Sequence, residues 1–517
     1  MSLQSQYFKL TADEAALTVY DIIIVGAGFG GGTLAADLFV RNKRSGDSKK
    51  ILVIESGNLL FHSHCSNAAR PTAVGNADKQ SIAFFKDFRG KYKNYESPQW
   101  EGGPLYALGG RSSVWTFYIP RPHDETLEKH FPSSVVKELN KTFFEKAEST
   151  LNMSFPQNPT VAHWNLVQEL NKTAKGSEAW VNGRTASEFR HNKDSAFAAG
   201  AYSTVDRLLE IAMNDPQAEG NFKILLGTKV DRLEFQSSSI ESVVLNGGIK
   251  IKTKHVVLCA GSVNSAAILL RSGVDIKALG GGMLTDHGMY EVVRTFKYSP
   301  HPTQEEVGPI RLQAYTNLGT DEHAALARIY VNWSTLGIRT HDLDAKPDFQ
   351  LVFILTTKLG NENTIMLDER EPVIHIARTN DHDNATERQA MAEITNNAMN
   401  AMVKTLNVTF DDPTPLSSEF VAPLKLGVWA HELGSLPMPG PDPVPGDPVP
   451  PSVLDANLTL QGGYQGVSVC DNSVFPYSPS ANPSLTLAAL ALRLSEFLMP
   501  RDNSQDAGTI GEIIEVV

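Results

Sequence analysis

The sequence predicts an α/β protein in which a domain built on a parallel sheet is joined to an α+β domain with an antiparallel sheet. Residues 21–25 form a short β-branched run closed by glycines, which is typical of a buried parallel strand. Between Met289 and Ile376 come alternating runs such as RLQAYTNL and DFQLVFILTTK, a pattern typical of antiparallel strands. A chain of 517 residues also exceeds what one hydrophobic core usually holds, so we expect two packed subdomains.

A strand, a glycine turn, a helix and a second strand follow one another near the N-terminus. The turn is the GxGxxG motif of residues 26–31, the helix is expected over Gly31–Val40, and the strand Ile51–Ile54 ends at Glu55. The first glycine permits a tight turn, the second lets a pyrophosphate approach the backbone, and the third lets the helix pack on the strand. The helix N-terminus favours phosphate, and the strand-end carboxylate can accept hydrogen bonds from a ribose. The pattern predicts a Rossmann-like dinucleotide site at Gly26, Gly28, Gly31 and Glu55.

Composition and charge argue against several classes of partner. The chain is 41% apolar and 20% charged, which is typical of soluble globular proteins. A net charge of −12 disfavours nucleic acid, because phosphate binding needs a basic surface. No apolar run approaches the roughly 20 residues of a membrane-spanning helix, so no membrane partner is expected.

The cysteines and the N-terminal region favour a reducing compartment. Cys65, Cys259 and Cys470 are too few for a disulfide framework, and none belongs to a CxxC-type metal pair. The first apolar stretch lacks the layout of a cleavable signal. We therefore predict a cytoplasmic location and no bound metal. Seven Asn-x-Ser/Thr sequons point the other way, although such triplets arise often by chance; they begin at Asn140, Asn152, Asn171, Asn332, Asn384, Asn407 and Asn457.

Further motifs place small or polar residues in tight loops or at strand ends. Taken singly, each has a structural interpretation: Asp286 and His287 as buried polar residues, and His431 as a core imidazole. Their order along the chain carries the functional signal. The motifs are GGRSSVW at 109–115, VVLCAGSVNS at 256–265, TDH at 285–287, WAHELG at 429–434, VCDNS at 469–473 and SANP at 480–483.

These motifs, in this order and at these separations, resemble the glucose–methanol–choline (GMC) oxidoreductase family over nearly the whole chain. The pattern around GGRSSVWTFYIPRP and WAHELG is most similar to the pyranose-oxidase-like branch. The resemblance implies bound FAD and a catalytic pair formed by His431 and Asn482. It also implies that Gly26, Gly28, Gly31 and Glu55 bind the pyrophosphate and ribose and that Val230 contacts the adenine. The loop residues Gly109, Gly110, Ser112 and Ser113 would lie against the isoalloxazine. Asp471 would help to hold the ribityl and pyrophosphate portion, and Asn482 with Pro483 would cross the pyrimidine edge of the flavin.

One departure from that branch concerns the attachment of the coenzyme. Pyranose oxidases carry a threonine–histidine–tryptophan triplet whose histidine bonds covalently to the flavin, whereas this chain has Ser113-Val114-Trp115. A valine cannot form that bond. We therefore expect non-covalent FAD, and sugar specificity does not follow from the resemblance.

The order of the segments predicts a discontinuous architecture. FAD-binding parts are expected at 1–130, 216–288 and 426–517, the last of which also carries the catalytic pair. Between them we expect a helical, substrate-related region at 131–215 and the substrate domain at 289–425. Within these parts, 384–406 has the pattern of an amphipathic helix, and 484–498 that of a buried one.

The predicted function is the FAD-dependent oxidation of an alcohol or sugar hydroxyl (CH–OH) to a carbonyl. His431 is the expected base, Asn482 is expected to hold the hydroxyl, and a hydride passes to flavin N5. The substrate is a small alcohol, sugar or glycoside, and O2 or a quinone-like acceptor reoxidises the flavin. Three alternatives stay open: a flavin-binding lyase or other non-redox relative, a catalytically silent FAD-binding protein, and an NAD-dependent dehydrogenase. The first two predict bound flavin that no alcohol bleaches, and the third predicts no yellow chromophore.

Overall fold

The computed structural model describes most of the chain, and the sequon at Asn332 lies outside the described part. No helix in that part is both long and apolar enough to cross a membrane. The described residues are 2–67, 89–91, 93–95, 100–155, 161–172, 174, 178–187, 200–214, 220–298, 310–319, 324–331, 347–377, 384–421 and 423–500. The α-helices are Leu3–Tyr7, Ala12–Ala16, Phe29–Ser45, Asp124–His130, Ser133–Glu138, Phe144–Thr150, Val161–Asn171, Thr204–Asn214, Ser262–Arg271, Ala385–Leu406 and Ser484–Leu498.

A five-stranded parallel sheet forms the centre of the larger hydrophobic core. Its strands come from the beginning, the middle and the end of the chain, so distant segments meet in one sheet. The Ile22–Val25 strand is buried along its whole length, as a strand covered on both faces must be. The strand order is Val467–Val469, Val256–Leu258, Ile22–Val25, Ile51–Ile54 and Phe222–Leu225.

A six-stranded sheet, called here the antiparallel sheet, forms the second core. One of its faces is apolar and packs against the Ala385–Leu406 helix through side chains such as Ile329 and Phe353. This confirms the antiparallel strands predicted between Met289 and Ile376. The strand order is Val408–Phe410, Gly288–Tyr298, Asp348–Leu355, Ala324–Val331, Ile310–Asn317 and Val181–Asn182.

Smaller sheets surround these two cores. One contains Val230–Gln236. Another pairs Tyr477–Ser478 with Thr357–Lys358, the short strand that comes directly after Asp348–Leu355 in the chain. The domain boundaries drawn from the sequence stay a prediction. The smaller sheets, in strand order, are Lys250–Lys252, Ser239–Leu245 and Val230–Gln236; Asn363–Asp368, Glu371–Ile376 and Lys93–Tyr95; Thr357–Lys358 and Tyr477–Ser478; and Met153–Ser154 with Thr185–Ala186.

The two helices predicted near residues 384–406 and 484–498 are present with almost the same bounds. Asn384 caps the first of them by accepting a hydrogen bond from the Thr386 N–H, and Asn407 ends it in the left-handed conformation, φ 52°. Most side chains of Ser484–Leu498 are buried, because this helix packs on Phe29–Ser45 in the larger core. The three cysteines are buried and carry free thiols.

Candidate active site

A cavity of about 510 Å³ lies at the carboxyl ends of the parallel strands. Its walls include the residues that follow four of those strands, Gly26, Glu55, Cys259 and Asp471. The crevice outside the carboxyl ends of an open parallel sheet is where such folds bind their ligands. The far wall comes from the antiparallel sheet, so the cavity reaches from the glycine turn to the interface between the two cores. The residues of that far wall are Glu291, Arg328, Tyr330 and Gln350.

The glycine turn has the close packing that the GxGxxG motif predicts. Gly26 adopts φ +102°, and a Cβ at this position would meet the Cys259 carbonyl oxygen at 2.4 Å. A Cβ on Gly31 would meet the Gly26 carbonyl oxygen at 2.0 Å, so only glycine lets the helix approach the strand this closely. Gly28, in contrast, faces open space in the cavity. The helix begins after Gly28 with no side chain capping its first N–H groups, which leaves them available to an anion.

Glu55 and Asp471 hold the backbone around this turn. The Glu55 carboxylate accepts hydrogen bonds from the Ala27 N–H at 2.9 Å and the Gly57 N–H at 2.8 Å. The Asp471 carboxylate accepts from the Gly261 N–H and the Ser265 hydroxyl, at 2.9 and 2.6 Å. Burial raises the pKa of both carboxyls. Both line the cavity, but the contacts of Asp471 tie two strand ends together, so its described role is to shape the site.

The glycine–serine loop of residues 109–113 is divided between the cavity and the core. Gly110 lines the cavity, and a Cβ on it would lie 3.1 Å from the Gly28 Cα. The Ser112 and Ser113 side chains are fully buried, and the Ser112 hydroxyl bonds to the Gly109 carbonyl at 2.7 Å. Neither serine side chain lines the cavity, so contact of these two residues with the flavin stays a prediction from the resemblance.

The other predicted site residues also divide into those that line the cavity and those that lie behind its wall. Gly31 and Gly109 lie behind the cavity wall and serve close packing. The structure brings the others to one cavity although they are up to 457 residues apart in the sequence. The lining residues among them are Gly26, Gly28, Glu55, Gly110, Val230, His431, Asp471, Asn482 and Pro483.

The segment around His431 is held by an ion pair that sequence reasoning missed. The Arg111 guanidinium bonds both oxygens of Glu432 and the carbonyl of Ala430, the two residues that flank His431. Ala430 adopts φ +57°, a left-handed conformation that is costly for alanine and persists only where surroundings enforce it. The Arg111 contacts and the Ala430 N–H bond to the Gly427 carbonyl, 3.0 Å long, provide that constraint.

A buried second histidine determines how His431 is protonated. His287 is 3% exposed, its Nε2 lies 2.8 Å from His431 Nδ1, and its Nδ1 lies 2.8 Å from the Ser478 hydroxyl. His287 also bonds the backbone of Pro479, and because proline has no N–H this partner is a carbonyl to which the imidazole must donate. Burial lowers the pKa of His287 to about 3, so the ring is neutral near pH 7. Of its two neutral tautomers, we assign the one with the proton on Nδ1, the nitrogen beside Ser478 and the neighbouring Pro479. Its Nε2 therefore accepts from His431 Nδ1–H, which leaves the lone pair of His431 on Nε2.

Burial also lowers the pKa of His431 well below its usual value, and neighbouring His287 and the charges of Arg111 and Arg328 act in the same direction. His431 lines the cavity, and among the described residues its Nε2 has no hydrogen-bond partner. The result is a neutral imidazole with one basic nitrogen directed away from its protein partner. This is the form that a general base requires.

The Asn482 side chain also has a defined orientation. Its Oδ1 accepts a hydrogen bond from Arg328 at 2.8 Å, and an arginine can only donate. The amide NH2 is therefore the part of Asn482 that is available to a ligand. Asn482 lines the same cavity as His431, and Arg328 is a further cavity residue that the sequence did not single out.

Asp286, His287 and His431 bring their ligand-type atoms within 4.8 Å of one another, which is a spacing that could hold a metal ion. The hydrogen bonds of these three residues favour a hydrogen-bonded cluster without a metal. The two imidazoles bond to each other, and the Asp286 carboxylate accepts from the His287 and Gly427 N–H groups at 2.7 and 2.9 Å. Burial raises the pKa of Asp286 to about 7, which reduces its charge as a ligand. The metal-free site stays a prediction that these contacts favour.

Comparison with known proteins agrees with the fold and with the cavity, which together define a dinucleotide-dependent oxidoreductase. Two family models described as GMC oxidoreductase match residues 105–289 and 360–491, more than half of the chain. The chain belongs to the GMC oxidoreductase family, whose members bind FAD through the Rossmann-like N-terminal domain, and it is therefore a flavoprotein oxidoreductase.

One curated relative and one solved structure illustrate the similarity. An uncharacterized GMC-type oxidoreductase of Rhodococcus erythropolis is 22% identical over 520 residues, which cover 93% of this chain and 98% of the relative. The crystal structure of pyridoxine 4-oxidase from Mesorbium loti is similar with a TM-score of 0.63 and 17% identity, covering 92% of this chain and 99% of that one. Neither comparison favours the pyranose-oxidase-like branch, which stays an expectation from the motifs.

Proposed function

We propose that this flavoprotein oxidises the CH–OH group of a small alcohol to a carbonyl, with His431 as the base. The observation that carries the proposal is the hydrogen-bonded chain from Ser478 through His287 to His431. It supports a neutral imidazole whose free nitrogen, Nε2, is directed to the ligand. A satisfied core histidine would use both ring nitrogens within the protein, and His431 uses one with the residues that the structure describes.

The residues beside the glycine turn fit FAD. Gly28 leaves open space where a side chain would stand, and the uncapped N-terminus of the Phe29–Ser45 helix offers N–H groups to the pyrophosphate. Glu55 lies at the end of the neighbouring strand, where a ribose hydroxyl can donate to it. The backbones of Gly110 and Val230 and the Asn482–Pro483 segment line the rest of the path. We assign these residues to coenzyme binding.

In the proposed mechanism, His431 Nε2 removes the hydroxyl proton while the Asn482 NH2 donates a hydrogen bond to the same oxygen. The two contacts orient the carbinol and stabilise the charge that develops on its oxygen. Arg328 assists by fixing the orientation of the Asn482 amide. FAD, when bound, supplies the electron sink for the hydride. O2 or a quinone-like acceptor would complete the cycle.

The proposal predicts that anaerobic addition of a substrate alcohol bleaches the visible absorption of the FAD-loaded protein. The panel consists of sugars, glycosides, polyols and aromatic alcohols, and the flavin band near 450 nm is followed. Readmission of air then separates the acceptors: rapid return of the yellow colour indicates O2, and return only after a quinone is added indicates a dehydrogenase. Bound flavin that no alcohol bleaches would contradict the proposal and favour the non-redox or silent alternatives.

We also propose that the FAD is bound without a covalent bond. Val114, the residue at the position of the attachment histidine in the branch that the motifs resemble, lines the cavity and has no nucleophilic atom. Acid precipitation of the purified protein is expected to leave the yellow colour in the supernatant and a colourless pellet. A fluorescent flavin band that migrates with the polypeptide on a denaturing gel would contradict this prediction.

A further inference from the structure

The face of the antiparallel sheet that borders the cavity is polar, in contrast to the opposite face. Successive side chains of a strand alternate between the two faces. In the Ala324–Val331 strand, Ile329 packs in the second core, whereas Arg328 and Tyr330 line the cavity. Gln350 and Glu291 lie on the same side of the neighbouring strands. The substrate end of the cavity therefore has a charged wall.

Arg328 is the cation of this wall, and it is only 1% exposed. Its guanidinium carbon lies over the rings of Tyr118, Tyr330 and Trp429, at 4.2, 5.0 and 5.7 Å from their centroids. Its one hydrogen bond among the described residues goes to Asn482, and its Nε is buried without a partner. A guanidinium has five N–H donors, so this charge is poorly satisfied for a buried group.

Of the carboxylates that line the cavity in the described part of the chain, four are engaged elsewhere, and Glu101 has no described hydrogen bond or ion pair with Arg328. Glu432 is paired with Arg111, and Glu55 and Asp471 accept backbone N–H groups at the coenzyme end. Glu291 lies on the same face of the sheet as Arg328 but two strands away, because both residues pair with Val352 of the strand between them. Two strand spacings amount to about 9.5 Å. Glu291 accepts instead from the Gln350 amide.

The surroundings of Arg328 also indicate what kind of molecule lies next to it. Trp429 precedes the base His431 by two residues, and Leu424 and Val428 continue the wall. These side chains give the wall near Arg328 an apolar surface with aromatic character. An apolar body with an anionic group would complement both features, since a carboxylate satisfies guanidinium donors in pairs.

We propose that Arg328 binds an anionic oxygen group of the substrate, a carboxylate or an ionised phenol, so that the enzyme oxidises alcohols that carry an acidic group on an apolar, aromatic body. The inference rests on the proposed alcohol oxidation and names its substrate class. Among the described residues no carboxylate pairs with Arg328, so a neutral alcohol would add no counter-ion to this buried charge, and the acidic alcohol supplies one.

The first test uses ligands that cannot react. The 2-, 3- and 4-methylbenzoates and the matching methylbenzamides differ in charge at almost constant shape. Binding to the FAD-loaded protein is measured by calorimetry and by perturbation of the flavin spectrum. For at least one isomer, the benzoate is expected to bind at least tenfold more tightly than the amide. Equal binding of benzoate and amide for all three isomers would overturn the proposal without any variant.

The second test assigns the preference to Arg328. Arg328→Gln is expected to weaken benzoate binding at least tenfold and amide binding less than threefold, and Arg328→Lys is expected to keep part of the preference. Lys297→Gln removes a cation from an exposed position of the same sheet, where the side chain is 72% exposed, and is expected to change neither affinity. A benzoate preference that survives in Arg328→Gln, or that Lys297→Gln abolishes equally, would contradict the assignment.

The same protein then separates this inference from the proposed function. The hydroxymethyl benzoates and benzamides of the preferred isomer are compared as substrates, and the benzoate is expected to have a kcat/KM at least tenfold higher. Bleaching by neutral alcohols with no preference for the acid would refute the acidic substrate class and leave the alcohol oxidation intact. Tight benzoate binding with no bleaching by any alcohol would refute the oxidation and leave the anion site.

Discussion

His431→Ala is expected to bind FAD normally and to reduce it with a good alcohol about 10²- to 10⁴-fold more slowly than the unaltered protein, the usual contribution of a general base. Among the described residues, the substitution removes the one imidazole nitrogen lining the cavity that is free to take the hydroxyl proton. The measurement is the anaerobic rate of flavin bleaching in a stopped-flow instrument. His255→Gln is the matched control, because His255 does not line the cavity and bonds the Ser468 hydroxyl at a distance of 3.0 Å. This variant should keep the rate within about threefold.

The pH dependence gives an independent check on the same residue. The base works only when neutral, so kcat/KM falls as the pH drops through the pKa of His431. Burial places that pKa well below 6.5, and the positive charges of Arg111 and Arg328 contribute. The acid limb of the profile is therefore expected below pH 6.5. A limb above pH 6.5, or a His431→Ala rate close to that of the unaltered protein, would assign His431 to the core.

His287→Leu is expected to lower kcat/KM by about 10- to 100-fold while leaving FAD bound, because a mis-set tautomer deprives the base of its lone pair. Without the His287 acceptor, the proton of His431 is no longer held on Nδ1. Steady-state kinetics across pH 5–8 measures the change in kcat/KM.

Two companion variants separate positioning from mere packing at His287. In His287→Gln the amide oxygen can accept from His431 while its NH2 donates to the Pro479 carbonyl, so most of the activity should return. Ser478→Ala should reduce kcat/KM less than about threefold, because that carbonyl still holds the His287 proton. A purely structural role would predict that the Gln and Leu variants are equally impaired.

The sequence by itself determined the parallel core and its glycine turn. A β-branched run, a GxGxxG and a strand-end acid are local signals whose physical requirements lie within 35 residues, and the strand Ile22–Val25, the helix Phe29–Ser45 and Glu55 follow them closely. The antiparallel strands and the helix Ala385–Leu406 were predictable for the same reason, since alternation and helical periodicity report directly on burial.

The site depended on contacts that no local pattern encodes. His287 lies 144 residues before His431, and only the fold places their ring nitrogens 2.8 Å apart. In the sequence, His287 belongs to the triplet TDH, which has a structural interpretation by itself. Burial in the folded protein keeps its imidazole neutral. The serines of the 109–113 loop are a second example, because a small-residue pattern does not show that the Ser112 and Ser113 side chains are buried away from the cavity. The pairing of the Arg328 charge is the last example of a property that the sequence does not encode locally. Whether Arg328 is paired depends on which carboxylates the tertiary structure brings within reach, and the strand register places Glu291 two strands away.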